Sequence, residues 1–348
     1  CAGDCGGSGG KSVVVYGLLC EKVFAKRRNC CIIRENSARK TGIDSEEWIM
    51  LEKLQRLAGT EHVYADEPMK NHTTFRVGGI ARWFVEPQSA EDLWNVMKVC
   101  REEGVPCYVV GNGSNLLVSD EGYDGVILHL FRNMSGVEVR GTEITLQAGA
   151  LLIRASHIAM REGLTGLEFA SGIPGTVGGA VVMNAGAYGG EMRDVVKSVR
   201  VLAPDGGRKE YVREELRFGY RRSRIAEEGG IVLEVTLQLE QGDPEQIRAQ
   251  MEDLRVKRME KQPLEYGSAG STFKRPEGHF AGKLIEDAGL RGFRIGDAQV
   301  SEKHCGFIIN RGNATASQIA ELIGEVRERV LAYSGILLEP EVKFLGNF

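Results

Sequence analysis

The chain has 348 residues, which is long enough for two or three domains with a sizeable hydrophobic core. Its 42% hydrophobic and 26% charged residues are those of an ordinary globular protein. The net charge of -4 gives no electrostatic reason to expect nucleic acid or an anionic membrane as a partner. No apolar run reaches the roughly 18 residues of a membrane span, so we expect no membrane insertion.

Residues 1–43 differ from the rest of the chain and predict a disordered or non-native extension. They hold five of the eight cysteines, namely Cys1, Cys5, Cys20, Cys30 and Cys31. The spacing of these cysteines is poor for zinc, and a phosphate-loop-like ending at residues 10–12 has Cys5 where that motif needs glycine. The other cysteines, Cys100, Cys107 and Cys305, lie in apolar or strand-like sequence, which favours reduced thiols and a cytoplasmic protein.

The hydrophobic pattern predicts two helices near the start of the ordered sequence. One covers residues 45–57 and is stopped by Gly59. The other opens at Ser89, which has an acidic residue three positions on, and ends at Gly104. Serine before the first turn and glycine after the last are common end signals of a helix.

Strand-like runs at residues 106–110 and 116–118 lie on either side of a glycine loop. A Rossmann site needs a helix after its glycine loop, so this order disfavours the dinucleotide fold of ordinary dehydrogenases. A helix is predicted next over residues 151–162. Further strands are predicted over residues 144–147, 195–202 and 231–239, the last with a clean alternation of apolar residues.

A change of composition at residues 242–244 predicts a domain boundary. Asp243 and Pro244 are the cap and first-turn residues of a long helix that starts there. A last helix is predicted over residues 317–333 and a final strand over residues 341–344. Because helices and strands are mixed rather than regularly alternating, the predicted fold class is α+β.

Two loops rich in small residues are the strongest sign of a ligand. Residues 111–115 have the sequence GNGSN, and residues 171–179 have the sequence SGIPGTVGG. Side chains this small cannot build a core, so these segments are suited to a close approach to the backbone. Such loops present several N–H groups to phosphate oxygens without a lysine. Either loop alone could be a structural turn, but together they predict a large ligand with more than one phosphate.

Five motifs follow one another along the chain. They are residues 110–117 (VGNGSNLL), 172–179 (GIPGTVGG), 218–224 (FGYRRSR), 267–274 (GSAGSTFK) and 338–342 (LEPEV). In this order they resemble the UDP-N-acetylenolpyruvoylglucosamine reductase family, from about residue 46 to the end. The first two resemble its FAD-binding segments, of a kind shared with other flavoproteins, whereas the last three are specific to this reductase.

The resemblance implies a two-part FAD-binding region of the PCMH or vanillyl-alcohol-oxidase type, followed by a C-terminal α+β substrate-binding domain. Residues 44–125 and 126–242 would hold FAD, residues 243–337 would bind the substrate, and residues 338–348 would pack back on the first part. FAD is the implied cofactor and NADPH the implied electron donor. The implied reaction reduces the enolpyruvyl ether of UDP-N-acetylglucosamine to UDP-N-acetylmuramate, a peptidoglycan precursor.

The resemblance also assigns the FAD contacts to the two glycine loops. In the first loop they are Gly111, Asn112, Gly113, Ser114, Asn115 and Leu116. In and after the second loop they are Ser171, Gly172, Ile173, Pro174, Gly175, Thr176, Gly178, Gly179, Asn184 and Gly186. No metal ligands are expected.

The implied reaction explains the residue types of the later motifs. Hydride addition to an alkene conjugated to a carboxylate builds negative charge on oxygen, so a fixed cation lowers the barrier. The family's active-site arginine falls on Arg221, its proton donor on Ser271 and its third active-site residue on Glu341. From the residues alone, these three could instead be a surface ion-pair residue, a turn serine and an exposed glutamate. Substrate contacts are expected from Tyr220, Lys274, Lys283, Gln299 and His304.

The sequence departs from some family members at two points. About fifty residues separate Arg221 from Ser271, too few for an inserted loop whose tyrosine folds over the substrate, so the chain resembles the shorter, second type. Arg275 also stands where some members have asparagine.

Two competing interpretations are another FAD-dependent oxidoreductase of the same superfamily and a non-catalytic nucleotide-binding protein. The first would need neither the GSAGS segment nor the terminal Glu-Val. The second predicts that Arg221, Ser271 or Glu341 would be replaced by another residue type. The expected partners are small molecules, and no obligate protein partner is inferred.

Overall fold

The computed structural model describes residues 45–348, so the extension predicted for residues 1–43 lies outside the described residues. The first part of the fold packs two helices against a sheet. The helices are α1 (Ser45–Ala58) and α2 (Ala90–Glu103), and the strands are β1 (Val63–Pro68), β2 (Ile80–Val85), β3 (Cys107–Val110), β4 (Leu116–Val118) and β5 (Tyr123–His129). The sheet order is β1-β2-β5-β3, antiparallel between β1 and β2 and parallel between β2, β5 and β3.

Helix α2 begins and ends at the two end signals that were predicted for it. The Ser89 hydroxyl accepts a hydrogen bond from the backbone N–H of Asp92 at 3.1 Å, and Gly104 adopts the left-handed conformation that ends the helix. Its apolar face, with Leu93 and Val96, is fully buried against the sheet core. The predicted strands on both sides of the first glycine loop are also confirmed, as β3 and β4.

The second part is a five-stranded antiparallel sheet. Its strands are β6 (Val137–Arg140), β7 (Glu143–Gln147), β11 (Val196–Leu202), β12 (Arg208–Val212) and β13 (Ile231–Gln238). Their order in the sheet is β12-β11-β13-β7-β6. Short paired strands flank it, namely β8 (Leu164–Thr165) with β14 (Glu240–Gln241), and β9 (Gly186–Ala187) with β10 (Gly190–Glu191). The helices of this part are α3 (Leu152–Arg161), α4 (Val177–Val182), α5 (Met192–Val195) and α6 (Arg224–Glu228).

The third part follows helix α7 (Pro244–Lys261), which Asp243 caps as predicted. It contains α8 (Ala281–Asp287), α9 (Ala316–Ser334) and a three-stranded antiparallel sheet of β15 (Arg294–Ile295), β16 (Ala298–Val300) and β17 (Ile308–Asn310). The sequence pattern did not predict this sheet, because strands of two or three residues are too short to show an alternation. Helix α9 packs its apolar face, including Ile319 and Val326, into a second core with α8 and the sheet, and Phe75 and Leu117 of the first part also belong to this core.

The end of the chain returns to the first part. Strand β18 (Lys343–Leu345) pairs in parallel with β4, with Lys343 opposite Leu116. The predicted strand at residues 341–344 therefore begins two residues later than expected. This pairing places the residues just before β18 beside the first glycine loop, and it could not be seen from local sequence patterns.

Asp120 provides a second link between the first and third parts. Its carboxylate accepts hydrogen bonds from the backbone N–H groups of Ala316 and Ser317, both at 2.8 Å, and so caps α9 from a distant segment. Burial alone would raise the pKa of Asp120, but the hydrogen bonds from Ser317 and Ala316 hold it below its usual value.

Candidate active site

The two glycine loops meet in the folded chain. The Asn112 side-chain amide donates a hydrogen bond to the carbonyl of Pro174 at 2.5 Å. A Cβ atom built on Gly175 would lie 3.6 Å from the Ser114 hydroxyl. The loop after β3 and the loop before α4, which are 60 residues apart in the sequence, therefore form one surface.

Several loop glycines are required by the packing of the chain on itself. A Cβ on Gly113, whose φ is 58°, would lie 1.9 Å from the carbonyl oxygen of His72. A Cβ on Gly111 would lie 2.2 Å from the Thr176 hydroxyl, and one on Gly178 would lie 2.8 Å from the Cβ of Ala148. Gly111 lets the two loops approach each other, and Gly113 and Gly178 let them pack on His72 and Ala148, which is a different reason from the one we inferred from the sequence.

The backbone of these loops suits a phosphate-bearing cofactor. None of the N–H groups of residues 111–115 donates a hydrogen bond to another group within residues 45–348, and the same holds for Gly175 and Thr176. Backbone N–H groups of packed loops normally have a partner, and a row without one is the usual form of an anion-binding site. A Cβ on Gly175 or Gly179 would make only ordinary contacts, so these two positions are not explained by packing. The loops therefore fit the diphosphate of FAD.

A cavity of about 620 Å³ brings residues from the second and third parts and the C-terminal segment together. Seven of the predicted site residues line it, namely Gly186, Tyr220, Arg221, Ser271, Lys283, His304 and Glu341. Its charged lining also includes five cations, Arg221, Arg275, Lys283, Arg291 and Lys303, against three carboxylates, Glu191, Glu286 and Glu341. The excess of positive charge favours an anionic ligand.

Arg221 and Glu341 form an ion pair at the wall of this cavity. The Arg221 Nε atom lies 2.6 Å from Glu341 Oε1, and only 19% and 14% of the two side chains are exposed. Burial raises the pKa of Glu341 above its usual value, and the neighbouring Arg221 opposes that rise. The second carboxylate oxygen of Glu341 is buried and has no hydrogen-bond partner within residues 45–348. An oxygen in that state is suited to meet a polar group of a ligand.

Arg221 sits in an uncommon backbone conformation. Residues 219–222 form a tight turn in which Gly219 and Arg222 exchange backbone hydrogen bonds at 3.0 and 3.2 Å. The third position of this turn, Arg221, has a φ of 54°, where glycine is the usual residue. A non-glycine residue held there by its surroundings is a common feature of functional sites.

Ser271 and Glu341 are brought together by paired extended segments. The Glu341 N–H donates to the carbonyl of Thr272 at 2.8 Å, and the Lys274 N–H donates to the carbonyl of Glu339 at 2.9 Å. Ser271 itself is exposed and lines the cavity. The two motifs, 70 residues apart, thus present a hydroxyl and a carboxyl to one space.

His304 lines this cavity, and its surroundings favour the neutral imidazole. Burial lowers its pKa below the usual value, and the nearby Arg291 adds to that effect. Its Nδ1 atom accepts the backbone N–H of Gly306 at 3.1 Å, which leaves Nε2 as the proton-bearing nitrogen.

Lys274 and Gln299, which were predicted to contact the substrate, and Asn184, which was predicted to contact FAD, lie outside the lining of this cavity. Lys274 forms an ion pair with Glu339. Gln299 is 4% exposed, and its amide donates to the carbonyl of Gly292 and accepts from Arg311. Asn184 is fully buried, with its side-chain amide bonded to protein groups.

Arg258 is a site residue that the sequence analysis missed. It extends from the last turn of α7, donates a hydrogen bond to the carbonyl of Gly172 and lies 5.7 Å from the ring centre of Tyr188. Burial lowers the pKa of its guanidinium. Helix α7 carries many exposed charges, so nothing in the local pattern distinguishes this arginine from its solvated neighbours.

A second cavity of about 210 Å³ lies beside the first glycine loop and is lined in part by Asn112, His72 and Arg132.

The fold and the site define an FAD-binding oxidoreductase. Residues 81–210 match the family model described as FAD binding domain, and residues 262–345 match the one described as UDP-N-acetylenolpyruvoylglucosamine reductase, C-terminal domain. The expected α+β class with an FAD-binding region is confirmed by these matches and by the relatives that follow.

The UDP-N-acetylenolpyruvoylglucosamine reductase of Clostridioides difficile (strain 630) is 50% identical over 294 residues, which cover 84% of this chain and 97% of that protein. The one of Clostridium kluyveri (strain NBRC 12016) is 50% identical over 295 residues, which cover 85% and 97%. A crystal structure of the reductase from Thermus caldophilus matches with a TM-score of 0.70 and 39% identity, and covers 82% of this chain and 98% of that one. The chain belongs to the UDP-N-acetylenolpyruvoylglucosamine reductase family.

Within residues 45–348, no helix has the length and apolar character needed to cross a membrane. The same residues contain no cluster of three or more His, Cys, Asp or Glu side chains arranged to hold a metal ion.

Proposed function

We propose that this protein catalyses the NADPH-dependent, FAD-mediated reduction of enolpyruvyl-UDP-N-acetylglucosamine to UDP-N-acetylmuramate, a step of peptidoglycan precursor synthesis. The observation that supports it best is the meeting of Arg221, Ser271 and Glu341 at one cavity wall. Family membership supports the same reaction.

The glycine loops would hold FAD through their backbone N–H groups. When bound, FAD accepts hydride from NADPH and delivers it to the terminal carbon of the enolpyruvyl group. The residues of the chain are responsible for binding, orientation and the proton. The cation-rich lining, with Arg275, Lys283 and Arg291, suits the diphosphate and carboxylate groups of the substrate.

Arg221 would hold the substrate carboxylate. Glu341 engages the Nε atom of its guanidinium, which leaves the two terminal nitrogens for a bidentate contact. Negative charge grows on that carboxylate as hydride arrives, so this contact becomes stronger in the transition state than in the ground state. Glu341 therefore orients the guanidinium as well as carrying a carboxyl oxygen into the site.

Ser271 would donate a proton to the carbon next to the one that accepts hydride. Its exposed hydroxyl lies on the segment that is hydrogen-bonded to the backbone of Glu341. A hydroxyl is a weak acid, so its position and the stabilisation of the resulting oxygen charge matter more than its ordinary acidity. His304, neutral and with Nε2–H available, supplies a further donor to the same cavity.

The reaction can be tested by its two halves. Purified protein should bind FAD, its flavin absorbance should bleach with NADPH, and the absorbance should return when the enolpyruvyl substrate is added. Ser271→Ala should leave bleaching intact and slow reoxidation by about 100-fold or more, because general acid catalysis contributes about that much. Protein that binds no FAD would overturn the proposal, and bleached enzyme that enolpyruvyl-UDP-N-acetylglucosamine does not reoxidise would favour another flavoenzyme of the superfamily.

Domain division and location are also proposals. We propose an FAD-binding region of residues 44–125 and 126–242 and a substrate domain of residues 243–337. A second core around α9, which also takes in Phe75 and Leu117 of the first part, supports the substrate domain, and the return of β18 to β4 supports the packing of the last segment on the first part. We propose a cytoplasmic location, supported by the free thiols of Cys100, Cys107 and Cys305.

A further inference from the structure

Asn115 in the first glycine loop and Asn184 after the second have side chains that bond to the segments of Glu341 and Arg221. In the first loop, the Asn115 side-chain amide donates to the carbonyl of Glu341 at 3.1 Å. After the second loop, the Asn184 amide donates to the carbonyl of Gly219 at 3.1 Å and to Glu191 at 3.0 Å. Both asparagines were predicted to contact FAD. Their side chains reach instead the two segments that carry Arg221 and Glu341.

Asn115 contacts Glu341 through its side chain and Lys343 through its backbone carbonyl. Besides the side-chain bond to the Glu341 carbonyl, the Asn115 carbonyl accepts the N–H of Lys343 at 3.0 Å. The Glu341 N–H is held on the opposite side by the carbonyl of Thr272, at 2.8 Å. The backbone of Glu341 is therefore fixed between the first glycine loop and the segment of Ser271.

Asn184 holds the turn of Arg221. It is fully buried, and its own φ of 41° is one that asparagine tolerates better than most residues. The Oδ1 atom of its side chain accepts a hydrogen bond from the backbone N–H of Arg193 at 3.0 Å, so both the oxygen and the nitrogen of the side-chain amide are used. The bond to Gly219 acts on the first residue of the turn that keeps Arg221 at positive φ.

These contacts form a continuous series of interactions from one glycine loop to the other. It runs from Asn115 to Glu341, across the 2.6 Å ion pair to Arg221, and through the turn at Gly219 to Asn184. We propose that Asn115 and Asn184 are positioning residues, which tie the Arg221–Glu341 pair to the two cofactor loops. The proposal rests on the proposed function and adds the means by which cofactor and substrate groups are held in register.

The physical reason is the sensitivity of catalysis to small displacements. A misplacement of about 1 Å at the reacting groups can cost about 100-fold in rate. The backbone of Glu341 is restrained by its hydrogen bonds to Thr272 and Asn115 and by the adjoining strand β18. Loss of the Asn115 side chain would free the carbonyl of Glu341, while the loop backbone that suits the cofactor is kept.

The test uses the holoenzyme and separates the two half-reactions. Asn115→Ala should change the FAD dissociation constant and the rate of bleaching by NADPH by less than about threefold, and should slow reoxidation by the enolpyruvyl substrate by about tenfold. Asn115→Leu, which keeps about the same size, adds no charge and loses the donor, should give the same division if the alanine variant is too unstable to purify. Asn184→Gly suits the positive φ and should likewise slow reoxidation.

A double variant shows whether Asn115 acts through Glu341. Adding Asn115→Ala to Glu341→Gln should slow reoxidation by less than about twofold, because residues that act through one another are not additive. The matched control is Asn133→Ala, which also removes a half-buried side-chain bond to a backbone carbonyl, that of Glu86 at 2.9 Å. It should lower the melting temperature by a similar amount and leave both half-reactions unchanged.

Other results would overturn the proposal. Reoxidation of the Asn115→Ala enzyme at the wild-type rate, or a full tenfold loss in the Glu341→Gln background, would refute action through Glu341. Weakened FAD binding with both half-reactions slowed alike would make Asn115 a cofactor ligand instead. Failure of the wild-type enzyme to be reoxidised would be a different result, because it overturns the proposed function and, with it, this inference.

Discussion

Replacement of Arg221 by methionine should destabilise the fold in a way that depends on pH. Glu341 would remain in its buried site without its cation. Breaking a fully buried ion pair costs about 3–5 kcal/mol, whereas an exposed pair contributes about 0–1 kcal/mol. With 19% and 14% of the two side chains exposed, the pair is close to the buried limit, and we expect about 2–3 kcal/mol at neutral pH. Both residues at position 221 have a Cβ, so the cost of positive φ cancels.

The pH dependence follows from the carboxyl of Glu341. Its pKa is already raised by burial, and Arg221 is the main influence that opposes the rise. Removal of the cation raises the pKa further, so Glu341 takes up a proton at a higher pH in the variant. Below that pH the carboxyl is neutral and needs no partner, and above it the unpaired charge is buried. The difference in stability between wild type and variant should therefore be small near about pH 5 and grow toward about pH 8.

Thermal unfolding at several pH values measures this effect. A loss of about 2–3 kcal/mol corresponds to a fall in melting temperature of roughly 3–5 °C for a chain of this length. Arg221→Met combined with Glu341→Gln should recover most of the loss at high pH. The control is Arg222→Met, whose side chain is 70% exposed in its pair with Glu227, and which should shift the melting temperature little at any pH. An equal loss at low and high pH, or no recovery with Glu341→Gln, would show that an unpaired buried charge is not the cause.

Two further predictions concern the first glycine loop and the cap of α9. Gly113→Ala, at a φ of 58° and with its new Cβ 1.9 Å from a carbonyl oxygen, should lose more than about 2 kcal/mol of stability and most FAD binding. The control Gly104→Ala, at a φ of 68° with no atom within 4 Å, should lose about 1–2 kcal/mol and keep FAD. Equal losses of the two variants in thermal unfolding and flavin titration would contradict the packing argument. Asp120→Ala should cost about 1–2 kcal/mol at neutral pH through loss of the cap. Because the pKa of Asp120 is lowered in the folded state, this difference should shrink as acid protonates the wild-type carboxylate, below about pH 4, and an acid-independent difference would show that the charge is not involved.

Local patterns in the sequence predicted the elements whose signals are local. The capped helix from Ser89 to Gly104, the helix after Asp243 and the alternating strand from Ile231 were all found close to the expected residues. The two glycine loops and the order strand, loop, strand were also found. The motifs carried the family assignment, which the relatives confirm. The chain alone therefore determined its family and the residue types of its chemistry.

Other features depend on residues that are distant in the sequence. The short strands β15, β16 and β17 form because a helix and a sheet bury their faces together, and Arg258 is distinguished from other helix charges only by its contact with Gly172. The glycines at positions 111 and 113 were expected for the ligand, but the chain itself needs them, since a Cβ would meet Thr176 and His72.

The sequence by itself determined which residues the chain has for a flavin and for proton and charge chemistry. Only the tertiary structure decided that Arg221, Ser271 and Glu341 share one cavity, that Glu341 holds the guanidinium, and that Asn115 and Asn184 bond to the segments that carry this pair. The physical reason is that a hydrogen bond or an ion pair depends on distances of about 3 Å, which local sequence does not encode. The return of the last strand to β4 sets those distances, and no pattern within residues 338–348 reveals it.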